Sequence, residues 1–329
     1  PPKVARPLRD VPNIQTAPSI HAAPNIEVTP HVVICRGPDH ALQLVQQVPS
    51  PGRLSPRLRL PEDRALVIWT SGTTGEPRAI ALRGEGMRQA ALAQVGHLGI
   101  TPGDALPVVL PLNAVGGLMV IVRAALAHAV IEALPRFEAA HLIELANAGR
   151  ADHVSLVPVM LQRLLDQMVE PPVERLPDPP PEPLRQGEPG SVARGPSSTH
   201  GFGTLLIGGA ACPVGLVRDA GSSGLRVALT WGMTESCAQA ATALPDEVAG
   251  DPTCVGRALP HVLVRTEPDG RPALQLAALD PAEVRLSEPN RDDSPILTSL
   301  CDEDGWFVTG DLGSVAADGR IRVTGRASD

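Results

Sequence analysis

The chain has 329 residues, 43% of them hydrophobic, and a net charge of −8 with no run rich in lysine or arginine. That length is long for one domain and short for three, and the apolar share suits a sizeable core and argues against wholesale disorder. The acidic balance argues against a nucleic-acid partner.

Aromatic residues make up 2% and tyrosine is absent, so the core has to be built from Val, Leu, Ile and Ala. The five cysteines, Cys35, Cys212, Cys237, Cys254 and Cys301, form no CxxC pair and are odd in number. They suggest neither a zinc site nor a disulfide framework and read as small buried hydrophobes of a reducing, cytoplasmic compartment. The opening PPKVARPLRDVPN lacks the apolar region of a signal peptide. The longest apolar run, 116–134, is interrupted by Arg123 and His128, so a buried helix is expected there and no membrane partner.

In chain order, residues 1–61 are proline-rich, with VVIC (32–35) as a strand and DHALQLVQQV (39–48) as a short helix. ALVIW (65–69) is a continuous apolar run that stops at TSGTTGEPR, the pattern of a strand buried on both faces. A helix over 84–99, a strand over 105–112, helices over 116–129 and 141–149, a strand over 153–159 and a helix over 158–168 follow. Met160, Leu161, Leu164, Leu165 and Met168 share one face of the last. The stretch 170–201 holds Pro, Glu, Arg and Gly with few large apolar residues and reads as an exposed insertion. A strand at 204–210, a helix near 213–222 and a strand at 225–232 complete the alternation. It predicts an α/β fold with mostly parallel sheets and flanking helices over 62–250. Residues 251–329 read as a β-rich subdomain with two hairpins, over 262–279 turning at Asp269-Gly270 and over 305–326 turning at Asp318-Gly319.

Four stretches carry chemistry. Thr70, Ser71, Gly72, Thr73, Thr74 and Gly75 leave the end of a buried strand, where open α/β sheets bind ligands, and offer N–H groups and hydroxyls to phosphate oxygens. The spacing of Gly72 and Gly75 is too short for a Walker A loop, and taken alone the stretch also fits a plain flexible turn. Gly208, Gly209 and Ala210 follow a second strand and suit close packing against a flat ligand. TWGMTES offers the ring of Trp231 beside Gly232, the hydroxyl of Thr234 and the carboxylate of Glu235, a residue type that holds Mg²⁺ together with substrate phosphates. A core tryptophan and a solvated helix-start glutamate are the plainer readings. Asp311, on a Gly-flanked turn, is an acceptor for two ribose hydroxyls, and Arg326 is a cation near it.

TSGTTGxP, then GGA, then aromatic-GMTE, then TGDLG…DG…GR, in that order over roughly residues 62–329, resemble the signatures of the adenylate-forming superfamily of acyl- and aryl-CoA ligases, peptide-synthetase adenylation domains and luciferases. VSLVPVMLQRLLDQ (154–167) and GGL…R (116–123) are similar to stretches of the o-succinylbenzoate–CoA ligases of menaquinone biosynthesis. The resemblance implies the large N-terminal domain of such an enzyme, with Mg²⁺ and coenzyme A as cofactors, ATP and a carboxylic acid as small-molecule partners, and a homodimer left open. Residues 70–75 would wrap the β- and γ-phosphates. Gly208, Gly209 and Ala210 would flank the adenine and part of the acyl pocket, and Trp231, with Gly232, would take the place of the usual adenine-stacking tyrosine. Thr234 would meet the α-phosphate, Glu235 would ligate Mg²⁺, Asp311 and Arg326 would hold the ribose, and Arg78 would act at the end of the phosphate loop. Gly117 and Arg123 would belong to the acyl pocket, Arg123 meeting a substrate carboxylate, with a helix arginine reaching solvent as the alternative.

The reaction implied is attack of a carboxylate on the α-phosphorus of ATP, then displacement of AMP by a thiol. No protein nucleophile is needed for it. Three residues depart from the pattern: Arg78 for the usual lysine, Ala114 for a histidine ahead of GGL, and Ser328 for the first acid of the hinge. The small lid domain that brings a catalytic lysine is expected to be absent from this chain, which would then bind ligands but catalyse poorly alone. The rival readings are an adenylation domain that loads a carrier protein and a degenerate, non-catalytic nucleotide-binding relative.

Overall fold

The computed structural model describes residues 63–70, 78–134, 136–169, 201–276, 278–285 and 296–327. The expected strand at 32–35, the expected helix at 39–48 and the insertion up to residue 200 lie outside the described residues, as do Ser71, Gly72, Thr73, Thr74 and Gly75.

The α/β class holds. Strand β1 (Arg64–Thr70) pairs antiparallel with β2 (Arg78–Arg83), in a register that ends at Thr70↔Arg78. The Gly/Ser/Thr stretch therefore joins two neighbouring strands and does not lead straight into a helix. Strand β2 was not foreseen, because RAIALR shows no alternation and is too short to declare itself. Its inner residues Ala79, Ile80, Ala81 and Leu82 are all buried. On its other side it pairs with β12 (Ala282–Arg285), which in turn pairs with β13 (Ile296–Ser299), giving a four-stranded antiparallel sheet. Residues from beyond position 250 thus complete the sheet that begins at Arg64.

Helix α1 (Gly84–Leu98) stops at Gly99. Strand β3 (Ala105–Val108), helix α2 (Val115–Ala127) and strand β4 (Val130–Ala133) form a parallel β-α-β unit. The apolar run 116–134 is accordingly one helix and one strand, divided at His128, whose φ of 54° ends the helix. Among the described residues no helix is long and apolar enough to cross a membrane.

Helices α3 (Ala139–Asn147), α4 (Pro158–Val169) and α5 (Val214–Ser222) alternate with β5 (His153–Leu156), β6 (Thr204–Ile207) and β7 (Arg226–Trp231). These strands are parallel to one another, as the alternation implied. The sheet is extended antiparallel by β8 (Ala241–Ala243) and β9 (Arg257–Ala258), with the short helix α6 (Pro245–Gly250) between them. Elsewhere the pairing is antiparallel. Both expected hairpins are present: β10 (Leu263–Thr266) with β11 (Pro272–Gln275), and β15 (Asp311–Val315) with β16 (Ile321–Arg326). Strand β14 (Trp306–Val308) adds to β11.

Two main cores result. One, with Leu142, Leu156, Leu161, Leu164, Phe202 and Leu205, lies between the five-stranded sheet and α3, α4 and α5. The other gathers Leu66, Ile80, Met119, Trp231, Leu274 and Ile321 from the first sheet, α2, β7 and the C-terminal strands. This second core holds the ends of β1, β7, β15 and β16 together.

Candidate active site

Trp231 closes β7 and is 7% exposed. Its ring belongs to the second core, so the open stacking plane expected from the sequence is largely covered, and the indole N–H is used instead. Nε1 donates to Oδ2 of Asp311 at 2.7 Å. Asp311 opens β15, is 6% exposed, and faces Arg326 across the β15–β16 ladder. The Arg326 Nε lies 2.9 Å from Oδ1, so both carboxylate oxygens are engaged, one by a neutral donor and one by a cation. The Asp311 N–H donates to Thr309 Oγ1, whose hydroxyl donates to the carbonyl of Pro272 at 2.8 Å. The aspartate is thereby fixed from its side chain and its backbone.

After Trp231 the chain folds back on itself. A Cβ at Gly232 would come 2.4 Å from the carbonyl oxygen of Ala238 and 2.7 Å from Cα of Gln239, so only glycine allows the approach. Thr234–Ser236 form a single 3-10 turn. The Ser236 hydroxyl accepts from the Met233 N–H at 3.0 Å, and the Cys237 N–H donates to Thr234 O at 3.1 Å. Glu235 projects from this turn. Burial pushes its carboxyl above the usual carboxylate range, and Asp311 adds to that; a backbone hydrogen bond and the charges of Arg78 and Arg326 oppose it. Glu235 is therefore close enough to Arg78, Asp311 and Arg326 to feel all three. Strand β2 and the β15–β16 hairpin, far apart in the sequence, thus both bear on this one carboxylate.

Arg78 opens β2, and its Nη2 lies 3.0 Å from Glu283 Oε2 on the neighbouring strand β12. Thr70 Oγ1 donates to the Arg78 carbonyl at 3.3 Å, at the end of the β1–β2 ladder. Gly208, Gly209 and Ala210 follow β6, and Gly209 has a φ of 78°, a conformation that favours glycine. Among the described residues no cluster of three or more His, Cys, Asp or Glu could hold a metal ion.

Arg123 departs from its solvent-reaching reading. It is 3% exposed, and burial holds its pKa down to about 10. Nη2 donates to Ser155 Oγ at 3.0 Å and Nη1 to Gln94 Oε1 at 3.4 Å, while Nε has no partner. Among the described residues it makes no ion pair with a carboxylate. It borders a cavity of about 10 Å³ with His153, Ser155, Leu106 and Leu206. Gly117 lies on the same helix, but the space where its side chain would be is filled by the carbonyl oxygens of Leu110 and Pro111. It lets the helix pack on that backbone and lines no space of its own. A groove of about 430 Å³ lined by Arg257, Leu263, Trp306, Val315 and Ile321 contains none of the predicted site residues.

Sequence reasoning did not single out Gln94, Ser155 or Glu283. For Gln94 a signal was available, since it falls on the buried face of α1 with Met87, Ala90 and Ala91, where a polar residue needs a reason. For Glu283 there was none, because its role depends on a strand pairing across most of the chain.

The sequence profile of the family described as AMP-binding enzyme matches residues 9–273. The chain is 27% identical over 272 residues to the 2-succinylbenzoate–CoA ligase of a Geobacillus species, which covers 82% of this chain and 50% of that protein. It is 25% identical over 275 residues to the enzyme of the same name from Bacillus velezensis, with 82% and 50% coverage. The chain spans about half the length of the curated relatives it matches. Among solved structures, the Bacillus subtilis o-succinylbenzoate coenzyme A synthetase in complex with ATP and magnesium ion has a TM-score of 0.61 at 24% identity, covering 81% of this chain and 50% of its own. An Escherichia coli MenE with a bound analogue of OSB-AMS has a TM-score of 0.58 at 23% identity, with 82% and 49% coverage. At these identities the structural likeness carries the fold.

Proposed function

Since the chain belongs to the AMP-binding enzyme family, we propose that it activates a carboxylic acid with ATP, forming an acyl-adenylate and pyrophosphate, and that its protein passes the acyl group to coenzyme A. We further propose o-succinylbenzoate as the acid. The observation that carries the first reading is the contact of Trp231 and Arg326 with the two carboxylate oxygens of Asp311, where β7, β15 and β16 meet and from where the turn bearing Glu235 starts.

The first step joins two anions, a carboxylate and the α-phosphate of ATP, and needs positive charge and donors where charge builds up. On this chain Arg78 and the N–H groups and hydroxyls of residues 70–75 are the donors to the β- and γ-phosphates. Thr234 meets the α-phosphate. Asp311, fixed by Trp231 and Arg326, receives the ribose hydroxyls, and the stretch Gly208-Gly209-Ala210 flanks the base and part of the acyl pocket. Glu235 is the residue that would hold Mg²⁺. It fits that role, because its burial is not fully offset by the neighbouring arginines, and a cation would stabilise its charged form. The ion, when bound, supplies charge to the phosphate oxygens.

The identity of the acid rests on Arg123. A buried guanidinium with no carboxylate of its own is a counter-charge waiting for an anion. O-succinylbenzoate carries two carboxylates, so one can be activated while the other meets Arg123 through one water, for which the cavity of about 10 Å³ is just large enough. Ala114 caps α2 without a side-chain hydrogen bond and supplies no second contact.

The test is carboxylate-dependent ATP–pyrophosphate exchange by the full-length protein, with o-succinylbenzoate, aryl acids, short-chain acids and amino acids. Exchange with o-succinylbenzoate and formation of its CoA ester are expected. Exchange without CoA-ester formation would favour carrier loading, and no exchange with any acid would sink the ligase reading.

A further inference from the structure

We propose that Gln94 is a positioning residue for Arg123, holding the guanidinium in place without neutralising it and so setting the preference for an acid with a second carboxylate. This rests on the reading of Arg123 given under the proposed function.

Gln94 is fully buried on the face of α1 that packs on α2. A buried primary amide is costly unless both of its ends are bonded. Here both are. Nε2 donates to the carbonyl of Cys237 at 2.9 Å, and Oε1 accepts from Arg123 Nη1 at 3.4 Å. The orientation of the amide is forced by chemistry, since a carbonyl can only accept and a guanidinium can only donate. Ser155 fixes the other terminal nitrogen of Arg123 through a hydroxyl. Both of these partners are neutral.

Two consequences follow. First, the positive charge of Arg123 is oriented but left uncompensated. A glutamate of the same length would supply the anion itself and leave an acid nothing to bind. Second, Cys237 closes the turn that carries Thr234 and Glu235. Gln94 therefore ties the guanidinium to the backbone of the turn at the reacting end, and fixes the separation between the two places where an acid would be held. An acid with its carboxylates at that separation is favoured over one with a single carboxylate.

The test compares Q94E, Q94M and R123Q in the full-length protein. Pyrophosphate exchange is measured with o-succinylbenzoate and with 3-benzoylpropionate, which lacks the ring carboxylate. In Q94E the KM for o-succinylbenzoate is expected to rise about ten- to a hundredfold, the scale of a hydrogen bond to a charged group. The KM for 3-benzoylpropionate and the KM for ATP should stay within a few-fold, so the discrimination between the acids collapses. Loss of packing alone would move both acids together. Q94M keeps the length, adds no charge and removes both bonds. It is expected to weaken discrimination less than Q94E, and it serves as the deciding variant if Q94E does not fold. Discrimination that survives in Q94E, or in Q94M where Q94E does not fold, while R123Q abolishes it would overturn the role of Gln94 and leave the substrate reading standing. Discrimination that survives in R123Q would overturn both.

Discussion

The indole nitrogen of Trp231 is 2.7 Å from Oδ2 of Asp311, a bond between residues 80 positions apart with both partners buried. It gives the tryptophan a reason to stand where a tyrosine is usual. A phenol at the same place presents its hydroxyl at the far end of the ring, whereas an indole presents its N–H at the side. W231F keeps an aromatic ring and deletes the donor. A buried hydrogen bond to a carboxylate is worth about 1.5–3 kcal/mol, so W231F should lower stability by that order and raise the KM for ATP. Chemical denaturation and pyrophosphate-exchange kinetics measure the two effects. A variant as stable as the parent would mean that Arg326 alone suffices to hold Asp311.

Arg78 and Glu283 form an ion pair that is only half-buried, and such pairs add little to stability. Its value lies in aim, because a guanidinium tethered by one carboxylate presents its remaining donors in a fixed plane. R78K and E283Q should therefore each lower kcat/KM for ATP by a similar factor, about three- to tenfold, and the double variant should lose no more than either alone. Additive losses would show that Arg78 acts without the tether. An R78K variant as active as the parent would make the arginine a tolerated replacement.

Burial holds the imidazole of His153 below its usual pKa of 6.5, with Asp104 and Asp152 opposing and Arg123 adding to the shift. Burial does the same for His261. Both are neutral in the fold, so below about pH 6.5 the unfolded chain binds more protons than the folded one. Stability should rise with pH through the interval between the lowered folded pKa and 6.5, and be lost as pH falls through it. Melting temperatures from pH 8 to pH 5 read this out. In H153Q the loss on acidification should be smaller than in the parent, and an identical loss would show that other groups dominate.

Two glycines give a paired prediction. At Gly232 an added methyl meets the backbone of Ala238 and Gln239, which must shift, so G232A should cost about 1–3 kcal/mol and weaken ATP binding through the turn that carries Glu235. At Gly221, in α5, nothing lies within 4 Å of the new methyl, and G221A should gain about 0.5–1 kcal/mol without touching ATP binding. Calorimetry of both variants separates a local steric effect from a general intolerance of change.

What could be read from the sequence was what short-range chemistry dictates. Asp269-Gly270 and Asp318-Gly319 turn hairpins wherever they sit between apolar strands, and both hairpins are there. Trp231, Glu235, Asp311 and Arg326 could be named because each stands in a short stretch, TWGMTE, TGDLG or TGR, that can be read without its partners. Strands β2 and β12 could not be foreseen, since RAIALR and AEVR show no pattern of their own and become strands through their neighbours, β1 and β13, and through each other. The inside position of Arg123 was equally hidden. A helix arginine normally reaches water, and what keeps this one inside is a glutamine on one neighbouring element and a serine on another. Gln94 was visible as a polar residue on an apolar stripe, but nothing local could say what it bonded.

The pairing of β2 with β12 also bears on how the chain is made. Arg78 and Glu283 are 205 positions apart, so a ribosome adding about 5–20 residues per second leaves the buried strand β2 with an unpaired edge for roughly ten to forty seconds. During that time the apolar Ala79-Ile80-Ala81-Leu82 is open to any passing strand. A shortened chain ending near residue 250 would never cover it. Such a fragment should emerge in inclusion bodies, while one that extends past Ser299 should not.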